Sequence, residues 1–588
     1  MSFLAVNEDL QAIEKKLGRP LRVLHIGNIA NNAYYNGLIQ RCHGVHADVI
    51  CYDYYHVMSC PEWEDADFDG EVDPSAPNWW ATDLKGWKRP DWFAQGPAAG
   101  CINYQHARAL GLHRLSKLLW TYLEARSLGH VRYMAKVAGR PLGLLPLRFA
   151  VAVAIIEELG LDRVWEPAAA SGDVIGVALP VETLLPRPRN QGSFWHDLLR
   201  PVARVVFNTL RGVKRKILKL GAIIMTVPYR TDAKKIQAWS DEDALAERDR
   251  YFDKALHFLR AQSTGLPQAE KDRLDAYAQE HPRRFFRALA DYDIIQGYAI
   301  DGFIPFMNGV ERFIAYEHGT LRELPFENSF LGALTRAAFL PAPIVFVTNS
   351  DVMPSVERMR LAEDRVVCLP HPFHEEKIDR FLAENGHLRP LNGPAVFFSP
   401  TRHHWIDTSG SWSKGNDIFL RAAGRLASEG KSFHLVLVEW GKEVDASKAL
   451  IDELGIADRV TWVGTMRKEE LWTAYCRAHA VVDQFTLPAL GAVGVEVMAL
   501  GRRLITAIDI RQLAEFFGEA PPALSAKTVD ECAARMRSVI ADIEDAAGCG
   551  AAVRRWIKER HSAERIMALQ ARAYRSLIMA EPGEAVFS

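Results

Sequence analysis

Two basic residues in the second half of the chain stand where they could bind a phosphate group. Arg402 follows the apolar run 395–398, and Lys414 opens a helical stretch. An Arg offers a planar fork to phosphate oxygens, a Lys offers a point charge, and a helix N-terminus adds a partial positive charge. Together these groups could neutralise a diphosphate leaving group without a metal. The alternative is that both are solvated loop cations.

A second group of residues could hold the nucleoside part of such a ligand. Gly491 would let a helix N-terminus approach a ligand closely, because it has no side chain. Glu496 follows on the same predicted helix, where its carboxylate could accept two hydrogen bonds from a ribose diol. The alternative is an exposed helical Glu, which is the commonest place for this residue type.

Alternating strands and helices must position these residues. Apolar runs separated by helical stretches predict two series of βαβ units. The strands predicted for the first series are 21–26, 47–52, 293–298, 312–316, 344–348 and 365–369. Those predicted for the second series are 395–398, 433–438, 460–463, 480–482 and 503–506. We therefore expect an α/β protein whose two Rossmann-like, doubly wound domains face a cleft at the carboxyl ends of their strands, where such sheets bind ligands.

Two segments depart from this alternation. Residues 61–282 are read as a large, mainly helical insertion in the first domain, and the Pro-His-Pro sequence at 370–372 marks the end of that domain. The predicted organisation is a first domain over 1–372, a second over 373–550, and a C-terminal helix over 551–588 that crosses back to the first domain.

The composition excludes several classes of protein. The chain has 588 residues, a formal net charge of -2 and 48% hydrophobic residues. These values exclude a disordered chain and argue against a protein that coats nucleic acid. The eight Cys form no C-x-x-C pair, so we expect reduced thiols and no zinc site. With no secretion signal and no apolar segment long enough to span a bilayer, the expected location is the cytoplasm.

Three motifs of the second half resemble one enzyme family. They are Lys414-Gly415, Val463-Gly464 and the run from Gly491 to Ile505. Their order and spacing are similar to the nucleotide-sugar half of retaining family 4 glycosyltransferases of the GT-B fold. The resemblance implies transfer of a sugar, with retention, from a nucleotide diphosphate sugar to a glycan, glycolipid, protein or other acceptor. It implies no metal and no cofactor besides the donor substrate.

The resemblance also implies roles for individual residues. Arg402 and Lys414 would stabilise the departing diphosphate, and Glu496 would hold the ribose. Family members carry two Glu eight positions apart in the last motif; Glu496 matches the second, whereas Pro488 occupies the first position. This departure resembles a bacterial subgroup with Asp-Gln at the end of the preceding strand. Asp483 stands there and is the residue expected to contact the donor sugar.

The first half of the chain matches the family at two loops. Glu317-His318-Gly319 follows strand 312–316 and is similar to the His-Gly step that such enzymes place beside the reacting sugar. His318 would then sit at the reacting centre, with Glu317 and Arg322 within reach of the substrate. The alternative is a structural loop His.

The other loop follows the first strand. Gly27-Asn28 stands where the family has a glycine-rich loop facing the cleft, and Asn28, Asn31 and Asn32 occupy the loop here. This replacement predicts side-chain contacts to an acceptor bound on the first domain.

Two surfaces of the insertion suggest further partners. Residues 200–235 carry ten Lys or Arg and one acid, with apolar residues at helical spacing. This pattern predicts either peripheral contact with an anionic membrane or a helix docked on the core with a solvated basic face. The Trp residues of the stretch 61–100 could stack on sugar rings or form the core of the insertion. They are Trp63, Trp79, Trp80, Trp87 and Trp92.

Two other functions fit the same architecture. A nucleotide-sugar epimerase would need a full acid and base set in the cleft and no acceptor pocket. A non-catalytic nucleotide-sugar binding protein is compatible with the missing first Glu. A dinucleotide oxidoreductase is disfavoured, because neither first strand is followed by G-x-G-x-x-G.

Overall fold

The structure, a computed structural model, describes residues 3–70, 72–127, 129, 147–163, 225–237, 242–408, 413–543 and 548–580. Two parallel sheets organise these residues. The strands of the first sheet are β1 (Arg22–Ile26), β2 (His46–Tyr52), β3 (Phe93–Gly96), β4 (Ile294–Tyr298), β5 (Phe313–Tyr316), β6 (Ile344–Val347) and β7 (Val366–Cys368). Their order across the sheet is β3-β2-β1-β4-β5-β6-β7, and every neighbouring pair is parallel.

The second sheet follows in the chain. Its strands are β8 (Ala395–Ser399), β9 (Phe433–Val438), β10 (Val460–Val463), β11 (Ala480–Val482), β12 (Leu504–Thr506) and β13 (Leu524–Ser525). Their order is β10-β9-β8-β11-β12-β13, again all parallel. Each sheet reverses its strand order beside its first strand, as doubly wound sheets do. The fold class predicted from the sequence is confirmed.

Helices cover both faces of the sheets. The residues before Glu375, which include the first sheet, are called the first region, and those from Glu375 onward, which include the second sheet, are called the second region. In the first region they are α1 (Phe3–Leu17), α2 (Asn32–Cys42), α3 (Pro61–Asp65), α4 (Ala98–Ala109), α5 (His113–Arg126), α6 (Leu147–Glu158), α7 (Arg230–Gln237), α8 (Glu242–Gln262), α9 (Gln268–Glu280), α10 (Phe286–Ala290), α11 (Phe303–Met307), α12 (Phe330–Phe339) and α13 (Met353–Arg358). In the rest of the chain they are α14 (Glu375–Asn385), α15 (Asn416–Ser428), α16 (Val444–Glu453), α17 (Lys468–Arg477), α18 (Ala492–Ala499), α19 (Ile510–Phe517), α20 (Val529–Ala541), α21 (Gly548–His561) and α22 (Ala563–Met579). Strands β4, β5, β6 and β8 are buried throughout because they are covered on both sides.

The range read as an insertion contains a strand. β3 lies between Pro90 and Pro97 and pairs with β2 at the edge of the first sheet, with Ile50 opposite Ala94. The segment around β3 is therefore part of the first sheet, and helices α4 and α5 pack beside it. Of the basic stretch 200–235, residues 200–224 lie outside the described residues, and the remainder includes the start of α7.

The C-terminal segment forms two helices instead of the single predicted one. In α21, Val553 and Trp556 pack into the core of the second region. Ser562 then caps the next helix by accepting a hydrogen bond from the backbone N–H of Arg565. In α22, Met567 and Tyr574 share a core with β1 and α1 of the first region. The chain thus returns to the first sheet after completing the second. Among the described helices, none combines the length and apolar character needed to cross a membrane.

Candidate active site

The two cations of the second region lie on loops that are joined by backbone hydrogen bonds. The Lys414 N–H donates to the carbonyl of His404 at 2.6 Å, and the Phe485 N–H donates to the carbonyl of Lys414 at 2.9 Å. The amide oxygen of Asn416 accepts from the N–H of His404 at 3.1 Å. The loops after β8 and β11 therefore hold Lys414 directly before α15, at the carboxyl edge of the sheet.

Three cations from both regions converge at this edge. Burial lowers the pKa of the Lys414 ammonium; Asp483 opposes this shift, and the charges of Arg402 and Arg322 add to it. Arg402 is half-buried, and burial lowers its pKa as well. Asp351 and Asp483 offset part of this positive charge, and an anion bound beside Lys414 would offset the rest. Because Arg322 belongs to the first region, this cationic site spans the cleft.

Asp483 stands beside these cations. Its Oδ1 accepts a hydrogen bond from the Thr401 hydroxyl at 3.0 Å. Burial raises the pKa of Asp483, whereas Lys414 and Thr401 hold it down. A Cβ built on Gly491 would lie 4.0 Å from Oδ2 of Asp483, so the beginning of α18 faces this carboxylate. Asp483 is thus placed between Lys414 and the helix N-terminus.

Glu496 has protein partners on both carboxylate oxygens. Its Oε1 accepts from the Lys468 ammonium at 2.5 Å, and its Oε2 accepts from the indole N–H of Trp472 at 3.2 Å. The residue is only 7% exposed. Lys468 also lies 3.1 Å from Oε2 of Glu64, an acid of the first region. A ribose bound by Glu496 would therefore share or displace these two donors. Sequence reasoning missed Lys468 and Glu64, because no local pattern links positions so far apart.

His318 lies at the carboxyl end of β5 and is held as a neutral imidazole. Burial, with a further contribution from Arg322, lowers the pKa of His318 to about 4. The Asn32 amide N–H lies 3.2 Å from Nδ1 of His318 and donates to it, which leaves the proton on Nε2. His318 can therefore offer an Nε2–H hydrogen bond to a sugar hydroxyl at neutral pH.

Arg322 is fixed by an acid that the sequence did not single out. Asp351 accepts two hydrogen bonds from the guanidinium, at 2.6 Å from Nε and 3.2 Å from Nη2. A Cβ built on Gly319 would fall 2.1 Å from Nη1 of Arg322, so any larger residue there would have to displace the guanidinium. Gly319 also has a positive φ of 80°, a conformation that favours glycine. The loop 317–322 therefore favours glycine at this position for two separate reasons.

Glu317 is fully buried beneath this loop. The Asn349 amide donates to its Oε2 at 3.3 Å, and the backbone N–H of Gly319 lies close to the carboxyl group. Burial raises the pKa of Glu317 to about 7, although Arg322 opposes the shift. A carboxyl group in this environment keeps its proton up to neutral pH.

The raised pKa of Glu317 makes the free energy of unfolding depend on pH. In the unfolded chain the carboxyl ionises near its reference pKa of about 4.3. Between that pH and about 7 the folded state binds more protons, so stability falls as pH rises, by on the order of 3 kcal/mol in total. We expect Glu317→Gln to remove this loss. Urea unfolding should then show the variant gaining stability over the wild type at pH 8 relative to pH 4.5; an equal difference at both values would contradict the assignment.

The loop after β1 is tied to the protein interior. The Asn28 amide N–H groups donate to Oδ1 of Asn31 and to the carbonyl of Ser59, both at 2.9 Å, and its own Oδ1 accepts from the Tyr34 N–H. Asn28 is 1% exposed, and both of its amide N–H groups are used in these bonds. It therefore has no N–H group left to hydrogen-bond an acceptor substrate. Asn31 and Asn32 are buried as well. These Asn side chains, expected to contact an acceptor substrate, thus form hydrogen bonds within the protein that shape the loop.

Gly27 has a conformational reason to be a glycine. Its φ is 88°, and a Cβ built on it would lie 2.5 Å from Oδ2 of Asp301. Asp301 follows β4 and accepts a hydrogen bond from the Tyr52 hydroxyl at 2.5 Å. The carboxyl ends of β1, β2 and β4 therefore meet closely around Gly27.

Residues 409–556 match the profile of a family described as Glycosyl transferases group 1. The match runs from the loop before Lys414 into α21 and includes Asp483, Gly491 and Glu496. No curated protein matches the chain in sequence. The match places residues 409–556 in a glycosyltransferase family, which confirms the predicted enzyme class, and the two doubly wound sheets agree with the GT-B fold.

Solved glycosyltransferase structures are similar to about half of the chain. Anabaena HepE in complex with UDP and glucose is 17% identical, with 50% of this chain and 81% of that chain covered and a TM-score of 0.39. Sucrose-phosphate synthase from Thermosynechococcus elongatus is 17% identical, covering 53% and 79%, with a TM-score of 0.38. The lipopolysaccharide outer core galactosyltransferase WaaB is 13% identical, covering 52% and 80%, with a TM-score of 0.37.

Proposed function

We propose that this chain transfers a sugar from a nucleotide diphosphate sugar to a glycan, lipid-linked or other acceptor, with retention and without a metal. The observation that carries the proposal is the position of Lys414, which the loops after β8 and β11 hold directly before α15, with the charges of Arg322 and Arg402 acting on it. Three cations in a partly buried site would stabilise the negative charge that develops on a departing diphosphate. A metal would not be needed for that charge.

The remaining residues fit roles around such a donor. The bond between the anomeric carbon and the diphosphate breaks, an acceptor hydroxyl oxygen bonds to that carbon, and the hydroxyl proton leaves with the diphosphate. His318 would hydrogen-bond a donor hydroxyl through Nε2–H, because its low pKa prevents it from acting as a cationic acid at neutral pH. Asp483 would accept from the sugar in place of the family's first Glu, and Glu496 would hold the ribose.

The domain and subgroup assignments belong to the same proposal. The first domain, 1–372, would bind the acceptor, and the second, 373–550, would bind the donor. The Asp-Gln subgroup accounts for Pro488 in the family's first Glu position. We also propose that the enzyme is cytoplasmic and touches an anionic membrane peripherally through 200–235, as expected for lipid-linked acceptors.

A panel of nucleoside diphosphates and nucleotide sugars tests the proposal by thermal shift. A ligand that binds the folded state must raise the apparent melting temperature. We expect one nucleoside diphosphate and the corresponding nucleotide sugar to raise the melting temperature. That nucleotide sugar should be consumed when an acceptor is present, even in the presence of EDTA. NMR of the product should show the donor's anomeric configuration.

Three outcomes would overturn it. An isomerised nucleotide sugar formed without acceptor would identify an epimerase. Binding without turnover against any acceptor would identify a non-catalytic binding protein. Inversion of the anomeric centre would contradict the family 4 subgroup.

A further inference from the structure

A large cavity lies beside β3, at the edge of the first sheet. Its volume is about 930 Å³, within the range of ligand sites in proteins. It extends from Tyr55, after the end of β2, to His46 and Arg22, at the beginnings of β2 and β1. Seven residues of strand separate these ends, which corresponds to roughly 20 Å. None of the residues assigned to the candidate active site lines it.

Tryptophan side chains line this cavity. Trp79, Trp80 and Trp87 come from the segment before β3, and Trp120 comes from α5. Trp80, Trp87 and Trp120 remain partly exposed, although the Trp80 ring also contacts Phe149 and the Trp120 ring contacts Tyr104. Trp79 is 8% exposed, and its indole N–H lies near the Cys60 thiol. Indole rings combine a large apolar face with one donor, which suits the C–H face and the hydroxyls of a sugar.

Two other members of the Trp group play a different part. Trp92 is buried and stacks on Tyr34, with ring centroids 5.4 Å apart. Trp63 packs against Phe68 in a small cluster that also includes Trp79 and Trp87, but Trp63 does not line the cavity. Trp79 and Trp87 therefore belong both to this cluster and to the cavity wall, whereas Trp63 and Trp92 belong to the core alone.

The polar lining of the cavity includes two ion pairs, and its Lys and Arg residues are equal in number to its Asp and Glu residues. Arg89 donates to both carboxylate oxygens of Glu62, at 2.7 and 2.9 Å. Arg108 donates to Asp48 at 2.8 Å. Nδ1 of His46 is buried without a partner. Fixed ion pairs present donors and acceptors with little net charge, which suits a neutral ligand rich in hydroxyl groups better than a phosphate or a lipid chain.

We propose that this cavity is a carbohydrate-binding site for a neutral oligosaccharide, separate from the donor cleft. The cavity is longer than one sugar ring. Its aromatic rings suit the C–H face of a pyranose, and its paired polar groups suit the hydroxyl groups. The inference that the oligosaccharide is the remote part of the acceptor substrate rests on the proposed function. The inference that the cavity binds an oligosaccharide does not.

Isothermal titration of the full chain with a fixed panel tests the proposal. The panel is maltotetraose, cellotetraose, xylotetraose, mannotetraose and chitotetraose, added without nucleotide. We expect saturable binding of at least one member. Trp87→Ala and Trp120→Ala, which approach the cavity from different elements, should each weaken it about tenfold or more. Trp87→Phe should retain most of the affinity, because an aromatic face remains.

Two measurements make the outcome decisive. The melting temperatures of the variants identify any that fail to fold, and the second Trp variant then carries the test. The nucleoside diphosphate thermal shift should be unchanged in both variants, so failure of the donor proposal and failure of this one are distinguishable. Absence of saturable binding across the panel, or equal affinity in folded Trp variants, would overturn the site.

Discussion

Replacing Lys414 by alanine is expected to lower kcat by about 10²–10³-fold, the usual effect of removing one group that stabilises developing negative charge. Lys414 is only partly exposed, and Arg402 and Arg322 raise the local positive potential around it. The charge on a diphosphate is larger after bond breaking than before, so the ammonium stabilises the transition state more than the bound donor. The measurement is the initial rate with the nucleotide sugar selected by thermal shift.

Two control variants separate charge from position. Lys414→Arg keeps the positive charge and should retain more activity than the alanine variant, although a guanidinium does not reproduce an ammonium's geometry. Lys442→Ala removes an exposed lysine of the same region and should leave kcat unchanged. Full turnover by Lys414→Ala would show that the phosphate cations have been assigned to the wrong residues.

The sequence predicts the two sheets well because parallel strands buried on both faces are continuous apolar runs. Runs such as 293–298 and 433–438 are bounded by polar or turn residues, and the structure places β4 and β9 within them. The order of strands then follows from the doubly wound rule, which also predicts that loops such as 400–402 and 317–322 meet at one cleft. In the structure the charge of Arg322, which belongs to the first region, contributes to the lowered pKa of Lys414.

Other features had no local signal. β3 has four residues between two prolines, so it is too short to show a strand period, and only pairing with β2 makes it a strand. The break between α21 and α22 depends on Ser562, whose capping role is visible in sequence only as one Ser within a helical pattern.

The partners of Glu496 illustrate a further limit. Its carboxylate matches a family position, and the resemblance implies a ribose contact. Lys468 and Trp472 lie 28 and 24 positions away on another helix, and Glu64 is in the other region of the chain. Such contacts arise from tertiary packing, which neither periodicity nor motif spacing encodes.

Lys468, whose side chain is 15% exposed, is one of the cations that join the two regions. Burial would lower its pKa, but the carboxylates of Glu496 and Glu64 outweigh burial and raise it. Burial would likewise raise the pKa of Glu64, whereas Lys468, Tyr35 and Asn31 together hold it below its usual value. On the neighbouring residue, Arg467 donates to the carbonyl of Phe68 at 2.6 Å. The acidic segment after α3 is therefore docked on the start of α17.

Lys468→Met is expected to destabilise the chain by about 3–5 kcal/mol, because it leaves two carboxylates buried without their cation. Urea unfolding at pH 7.5 measures this loss. Adding Glu64→Gln and Glu496→Gln to the Met variant should recover most of it, since neutral amides need no counter-charge. The exposed pair of Lys448 with Glu439, at 2.5 Å, provides the control: Lys448→Met should cost about 1 kcal/mol or less. If both Met variants lost the same stability, the buried ion network would not be what joins the two regions.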